Sequence, residues 1–212
     1  MNKFKKKNRS WVNRQERDIY VQKARLDGWR SRAVYKLKQI DEKERFLKHG
    51  MMCIDIGCSP GGWSQFVTQK LNGNVNIVAV DVLPMDPLPG VDFILGDFLD
   101  EKVFQKMLHK IGNKDVDLVM SDIAPNITGI KVVDQPKSMY LVELVLELAC
   151  KVLRPGGNLV CKVFQGVGFD DFIRDVRRYF AKVKIIKPDA SRSGNREIYL
   201  VARNFNYRSV QL

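Results

Sequence analysis

Asp55-Ile56-Gly57-Cys58-Ser59-Pro60-Gly61-Gly62-Trp63, directly after the apolar run Met51 to Ile54, decides the fold. A short apolar strand that ends in an acid and enters a glycine-rich bend lets backbone approach a ligand closely, because Gly57, Gly61 and Gly62 carry no Cβ. The spacing differs from the GxGxxG of dinucleotide binders: three non-glycine residues follow Gly57, and Pro60 stiffens the turn. The GK[ST] ending of a nucleoside triphosphate loop is absent as well. What remains is a bend suited to a nucleoside with an amino-acid tail, and S-adenosylmethionine is the expected cofactor. The plain structural alternative is an ordinary strand-to-helix turn.

Outward from this bend, strand-like runs recur at Met51 to Ile56, Val75 to Val80, Val91 to Leu95, Val116 to Met120, Leu159 to Phe164, Val183 to Ile186 and Ile198 to Ala202. Helical spacing is found before the first, over Ser31 to Phe46, and between most of the rest, at Trp63 to Leu71, Glu101 to Ile111, Lys137 to Leu153 and Asp170 to Phe180. Leu153-Arg154-Pro155-Gly156-Gly157 reads as a helix stop before the fifth strand. Such alternation predicts βαβ crossovers. The expected fold is a Rossmann-like α/β fold of the kind that binds S-adenosylmethionine, with a mainly parallel seven-stranded sheet, one antiparallel edge strand and helices on both faces. The antiparallel pairing follows from the short Lys187 to Arg196 connection, which suits a hairpin.

A chain of 212 residues holds one such domain with a sizeable core. Its net charge of +12 is uneven, because residues 1 to 32 carry eleven Lys or Arg against three acids, a net +8. The expected organisation is a basic, partly flexible arm at 1–30 and a methyltransferase domain at 31–212. From Trp11 onward apolar residues interleave with the arm's charges, so it is expected to fold partly onto the domain. A basic arm suits a phosphate backbone, with binding that weakens as salt rises. No membrane span or signal peptide is evident, and a cytoplasmic protein is expected. Cys53, Cys58, Cys150 and Cys161 form no CxxC pair and have no histidine cluster near them, so no metal site and no disulfide framework are expected.

In an open α/β sheet the ligand sits beyond the carboxyl ends of the parallel strands. Gly57 to Trp63, Asp81, Asp97, Asp122 and Lys162 all fall at or just past such ends, and Glu197 begins a reversed strand at the same edge. Asp81, 20 residues after Gly61, is expected on the ribose hydroxyls of the cofactor and Asp97 near its adenine. A helix cap or turn aspartate is the structural alternative for each. Lys162 interrupts an apolar run, where an unpaired ammonium is costly, so it should meet a carboxylate or face a site. Asp122 and Glu197 can flank it, and Lys36 on the preceding helix can complete a set of two lysines and two acids. That set suits methyl transfer to a weakly acidic hydroxyl, with Lys162 as base or as electrostatic support for the developing alkoxide. Base methylation fits less well: Asp122-Ile123-Ala124-Pro125-Asn126 lacks an aromatic shelf, and no Pro-Cys pair offers a cytosine nucleophile.

With these residues in place the chain resembles the FtsJ (RrmJ) family of ribosomal RNA 2′-O-ribose methyltransferases. The similarity runs from about Trp11 to Asn204 through RSRAVYKL, DIGCSPGGWSQ, DVLPMDPLPGVDFILGDF, SDIAPN, KVFQG and NREIYLVA. The resemblance implies a catalytic tetrad of Lys36, Asp122, Lys162 and Glu197, with Lys162 principal. It also implies cofactor contacts at Gly61, Trp63, Asp81, Asp97 and Asp122, beside Gly57 and Gly62 of the bend. The implied substrate is a uridine 2′-hydroxyl of large-subunit (23S) ribosomal RNA, in the assembled or nearly assembled 50S particle, and a monomer is expected. Cys58-Ser59 departs from the two alanines common in relatives, which bears on cofactor affinity. An RNA-binding ribosome assembly factor and a 2′-O-methyltransferase of another RNA, such as transfer RNA, are the alternatives. A dehydrogenase is disfavoured by the missing GxGxxG.

Overall fold

The computed structural model describes residues 18–125, 128–192 and 194–206. Most of the basic arm, including Trp11 and Val12, and Asn126 of the SDIAPN segment lie outside the described residues. In chain order the elements are α1 (Ile19–Leu26), α2 (Val34–Glu44), β1 (Met51–Ile56), α3 (Gly62–Lys70), β2 (Val75–Asp81), β3 (Val91–Leu95), α4 (Glu101–Ile111), β4 (Val116–Ser121), α5 (Lys131–Val152), β5 (Leu153–Phe164), α6 (Phe169–Tyr179), β6 (Phe180–Ile186) and β7 (Glu197–Phe205).

The seven strands form one sheet in the order β3-β2-β1-β4-β5-β7-β6. The first five positions pair in parallel, whereas β7 runs antiparallel to both neighbours. The crossover through α6 carries β6 past one vacant position, and the return strand fills it. The reversed strand is therefore the inner member of the edge hairpin and β6 the outermost. This insertion sets Lys162 against Tyr199 and Phe164 against Glu197.

Alternating side chains supply both faces of the sheet, as continuous apolar strands of a covered sheet must. One face packs Met107 of α4, Val145 of α5 and Phe172 of α6 against Ile54, Val119, Leu159 and Leu200. The other packs Leu37 and Ile40 of α2 and Phe66 and Val67 of α3 against Cys53, Leu118, Val160 and Val201. The second face also receives α1, whose Ala24 is buried and whose Tyr20 ring lies 5.4 Å from that of Tyr35.

Two element ends differ from the sequence expectation. α5 starts at Lys131, so Pro136 falls in its second turn, where the helix continues at the loss of one i→i−4 bond. Asp134 gathers the amides of Thr128 and Gly129 and the Thr128 hydroxyl ahead of it, and the Thr128 amide in particular holds its carboxylate below the usual range. At its other end, the helix stops at Val152 and Pro155-Gly156-Gly157 enter β5 itself, as an irregularity where the register against β4 shifts between Val116 and Leu118.

Candidate active site

Asp122 follows β4, Lys162 lies near the end of β5, Glu197 starts β7 and Lys36 sits in the first turn of α2, so four separate elements meet at one sheet edge. Lys162 Nζ lies 3.2 Å from Asp122 Oδ1 and donates to the Asp122 carbonyl oxygen at 2.5 Å. Lys36 Nζ is 2.8 Å from Glu197 Oε1 and 3.8 Å from Asp122 Oδ1. The Lys36 pairing is thus principally with Glu197. The side chains of Lys36, Lys162 and Glu197 are 10%, 7% and 9% exposed.

Removing four charges from water costs several kcal/mol per ion, and a neutral set of two cations and two anions recovers this only in part. Such an arrangement is poor value as a structural staple and suits a site where charge develops. Burial, the largest influence on Asp122, raises its pKa. The charges of Lys162 and Lys36 and the hydrogen bonds from Tyr199 and Lys162 more than offset it, leaving the carboxylate below its ordinary value.

Tyr199 and Ser191 are members of the network that the sequence reading does not single out. The Tyr199 hydroxyl donates to Asp122 Oδ1 at 2.6 Å and approaches Glu197 Oε1 at 3.3 Å, and Ser191 Oγ donates to the same Glu197 oxygen at 2.9 Å. Burial first, and then the charges of Asp122 and Glu197, hold the Tyr199 phenol well above its ordinary pKa. It is a neutral donor. The available signal is its position two residues after Glu197 on one strand, which puts both side chains on the same face.

The glycine bend lies beside this cluster, and its glycines also meet a packing need within the protein itself. A Cβ on Gly57 would meet Ile123 Cβ at 2.9 Å, one on Gly61 would meet Met85 Sδ at 2.7 Å and Arg30 Nη1 at 2.9 Å, and one on Gly62 would strike Ser31 Oγ. Each vacant position is filled by the protein's own atoms, so the glycines permit close chain crossing. Gly57 and Gly61 also have φ of +72° and +100°, where a side chain is strained. Trp63 turns its indole inward, donating from Nε1 to the Ala33 carbonyl at 2.9 Å and remaining 3% exposed. Its ring stabilises the α2–α3 contact.

Asp81 accepts from the amides of Ser59 and Leu83, both at 2.8 Å, and thereby ties the bend to the end of β2. Asp97 is exposed and accepts from the Leu99 amide at 3.0 Å in a local turn. Each carboxylate keeps lone pairs beyond these bonds. Arg30, also unforeseen, bonds the carbonyls of Pro60 (3.3 Å), Asp86 (2.7 Å) and Pro87 (2.7 Å), clasping the bend to the loop after β2. Asp55 is buried beneath the bend and accepts from Ser64 Oγ at 2.7 Å. Burial, as the main cause, pushes its carboxyl up to about 7, with the Ser64 hydrogen bond opposing and the charges of Asp122 and Asp81 assisting. Cys53, Cys58 and Cys161 are buried, and burial raises their thiol pKa values away from the reactive thiolate. Among the described residues, no group of three or more His, Cys, Asp or Glu could hold a metal ion, and no helix is long and apolar enough to cross a membrane.

The model of the FtsJ-like methyltransferase family matches residues 29–205. The Ribosomal RNA large subunit methyltransferase E of Legionella pneumophila (strain Lens) is 49% identical over 97% of this chain and all of its own length. That of Cellvibrio japonicus (strain Ueda107) is 50% identical over 97% of both chains. A crystal structure of a ribosomal RNA methyltransferase from Plasmodium falciparum superposes with a TM-score of 0.77 at 32% identity, covering 84% of this chain and 98% of that one. The chain belongs to the FtsJ-like methyltransferase family.

Proposed function

We propose that this methyltransferase acts on the ribose 2′-hydroxyl of a uridine in large-subunit (23S) ribosomal RNA, using S-adenosylmethionine as donor. The substrate form is the assembled or nearly assembled 50S particle, and the enzyme works as a monomer in the cytoplasm. The observation that carries this reading is the convergence of Lys162, Asp122, Lys36 and Glu197 at the sheet edge beside the glycine bend. The large-subunit substrate is supported by the names of relatives near half identity over almost the whole chain.

The residues present suit the donor. Asp81 and Asp97 have spare acceptor capacity for ribose hydroxyls and an adenine amine, and the amino end of α3 has no side-chain cap, which leaves amides for a carboxylate. When bound, S-adenosylmethionine supplies an electrophilic methyl group. Lys162 receives the hydroxyl proton if its neutral form is reached, or as an ammonium it stabilises the developing alkoxide. Asp122 orients Lys162 through two contacts, and Lys36 with Glu197 keeps the surrounding charge balanced. The buried side chains of Lys36, Lys162 and Glu197 also limit water beside the attacking oxygen.

The test is to incubate 50S particles lacking the modification with the protein and methyl-labelled donor, then map the labelled nucleotide. Label on one ribose 2′-oxygen of a 23S uridine is expected. Label on a base, label on another RNA only, or none on RNA would overturn the reading.

A further inference from the structure

Across the sheet edge from the ionic cluster, the amino-terminal half of α5 and the loop after β5 enclose a cleft of about 540 Å³. Val132, Pro136, Met139 and Tyr140 line it at helical spacing, with Glu143 a turn further on, and Val167 and Arg196 face them. The loop is firmly tied. Buried Gln135 donates from Nε2 to the carbonyls of Phe164 and Val167, each at 3.2 Å. Gly166 omits the Cβ that would strike the Gln135 amide, which would lie 2.6 Å away. The Gln165 amide donates to the Arg196 carbonyl at 3.0 Å. The cleft is thus held in register with the site: Phe164 is two residues past Lys162, and Arg196 immediately precedes Glu197.

Its lining is exposed in a way a closed surface avoids. Tyr140 is 60%, Val132 80% and Val167 88% exposed. Arg196 is exposed too, and it makes no ion pair among the described residues. An accessible aromatic ring among aliphatic side chains, next to a free guanidinium, suits a nucleotide, with base on ring and phosphate on cation. A protein partner could use the same apolar surface, but the free cation on a chain of net charge +12 favours a polyanion.

Resting on the function proposed for the ionic cluster, we propose that this cleft receives the base of a nucleotide neighbouring the methylated one. Tyr140 gives the stacking surface and Arg196 the phosphate contact. The RNA strand then crosses the sheet edge, with the reacting ribose on the α2 side and its neighbour on the α5 side.

The test is photo-crosslinking from the full chain carrying p-benzoylphenylalanine at position 140, bound to 50S particles that lack the modification. A crosslink to RNA within two nucleotides of the methylated ribose is expected. A crosslink to a ribosomal protein, to distant RNA, or to nothing would overturn the proposal. In parallel, Tyr140→Ala should raise KM for the particles about tenfold while kcat and cofactor affinity hold, and Tyr140→Phe should restore KM. Arg196→Gln should reduce the salt dependence of particle binding by about one phosphate contact. An unchanged KM in Tyr140→Ala counts against the cleft alone, whereas failure of the wild-type protein to label a ribose removes the underlying function and the cleft with it.

Discussion

The Tyr199 hydroxyl lies 2.6 Å from Asp122 Oδ1, the same oxygen that faces Lys162 and Lys36. One carboxylate oxygen is therefore the hub of the network. Tyr199→Phe removes a neutral donor from a buried anion that retains both cations, a loss of about 1 to 2 kcal/mol. For a chain of this size the melting temperature should fall by about 2 to 8 °C. Transfer should fall by no more than about tenfold, with cofactor affinity unchanged. Because the folded pKa of Asp122 is depressed, its stabilising contribution is complete above the ordinary carboxylate value and is lost as pH falls through the folded one. The Phe variant's deficit should accordingly be full at neutral pH and close on acidification. Thermal melts from pH 3 to 8 check it, and a deficit that does not vary with pH would separate Tyr199 from Asp122.

Lys162→Ala should abolish transfer and leave cofactor affinity within about threefold, since Asp81 and Asp97, the carboxylates proposed for the ribose and adenine, and the α3 amino end are untouched. The lost cation leaves Asp122 and Glu197 sharing Lys36, so a stability cost of about 3 kcal/mol is expected as well. Lys162→Arg keeps a charge but has no accessible neutral form. Measurable turnover in the Arg variant would assign electrostatic support to Lys162, and none would assign proton abstraction. Wild-type turnover in the Ala variant would refute either role.

Much of this arrangement is legible in the residues because parallel strands announce themselves as apolar runs and their carboxyl ends sort the polar groups. Asp122, Lys162 and Glu197 are found that way. Tyr199 is not, since a tyrosine inside Ile198-Tyr199-Leu200-Val201 is indistinguishable from core until its hydroxyl is seen to have an acid beside it. Arg30 is hidden for another reason, because its partners are 30 to 57 positions away and are carbonyls, which any residue type supplies. Gly57, Gly61 and Gly62 read as positions that need no side chain, yet sequence spacing does not reveal that Ile123, Met85 and Ser31 stand where a Cβ would go. The same limit applies to Trp63, whose place in the motif does not reveal that its indole turns toward Ala33. Pro155-Gly156-Gly157 reads as a helix stop, and α5 does end before it at Val152; that the same residues lie within β5 is hidden, because they fall in the unpaired stretch between Leu153 and Asn158 where the register against β4 shifts.

Arg30→Ala should loosen the glycine bend without touching the ionic cluster. Its guanidinium ties the Pro60, Asp86 and Pro87 carbonyls, and its backbone amide bonds Gln65 Oε1 at 2.9 Å, so only the side-chain clasp is lost on substitution. Charge-assisted bonds of this kind hold about 1.5 to 3 kcal/mol each when buried, and these are exposed, so the net effect should be near the lower figure. Cofactor affinity measured by calorimetry should weaken about tenfold, with kcat at saturation largely preserved. Arg30→Lys should rescue only part, because an ammonium lacks the planar fork that reaches two loops. An unchanged cofactor affinity would show that the bend holds its shape without the clasp.

Asp55 supplies the pH dependence of opposite sign. Its folded pKa is raised from 3.8 to about 7, so the folded state holds a proton that the unfolded chain has released between those values. Its favourable contribution is full below the unfolded value and is lost as pH rises through the folded one. Asp55→Asn is neutral throughout and retains an oxygen for the Ser64 hydroxyl, now 2.7 Å from the carboxylate. The melting temperature of the Asn variant relative to wild type should therefore climb by several degrees between pH 4 and pH 7 and level off by pH 8. Ser64→Ala should move that window upward, because the Ser64 hydrogen bond is what lowers the Asp55 pKa. Scanning calorimetry of the wild type and both variants across this range decides the matter. A wild-type minus Asn difference that stays flat from pH 4 to pH 8 would mean that Asp55 keeps one protonation state throughout, and burial beneath the bend would then not control its charge.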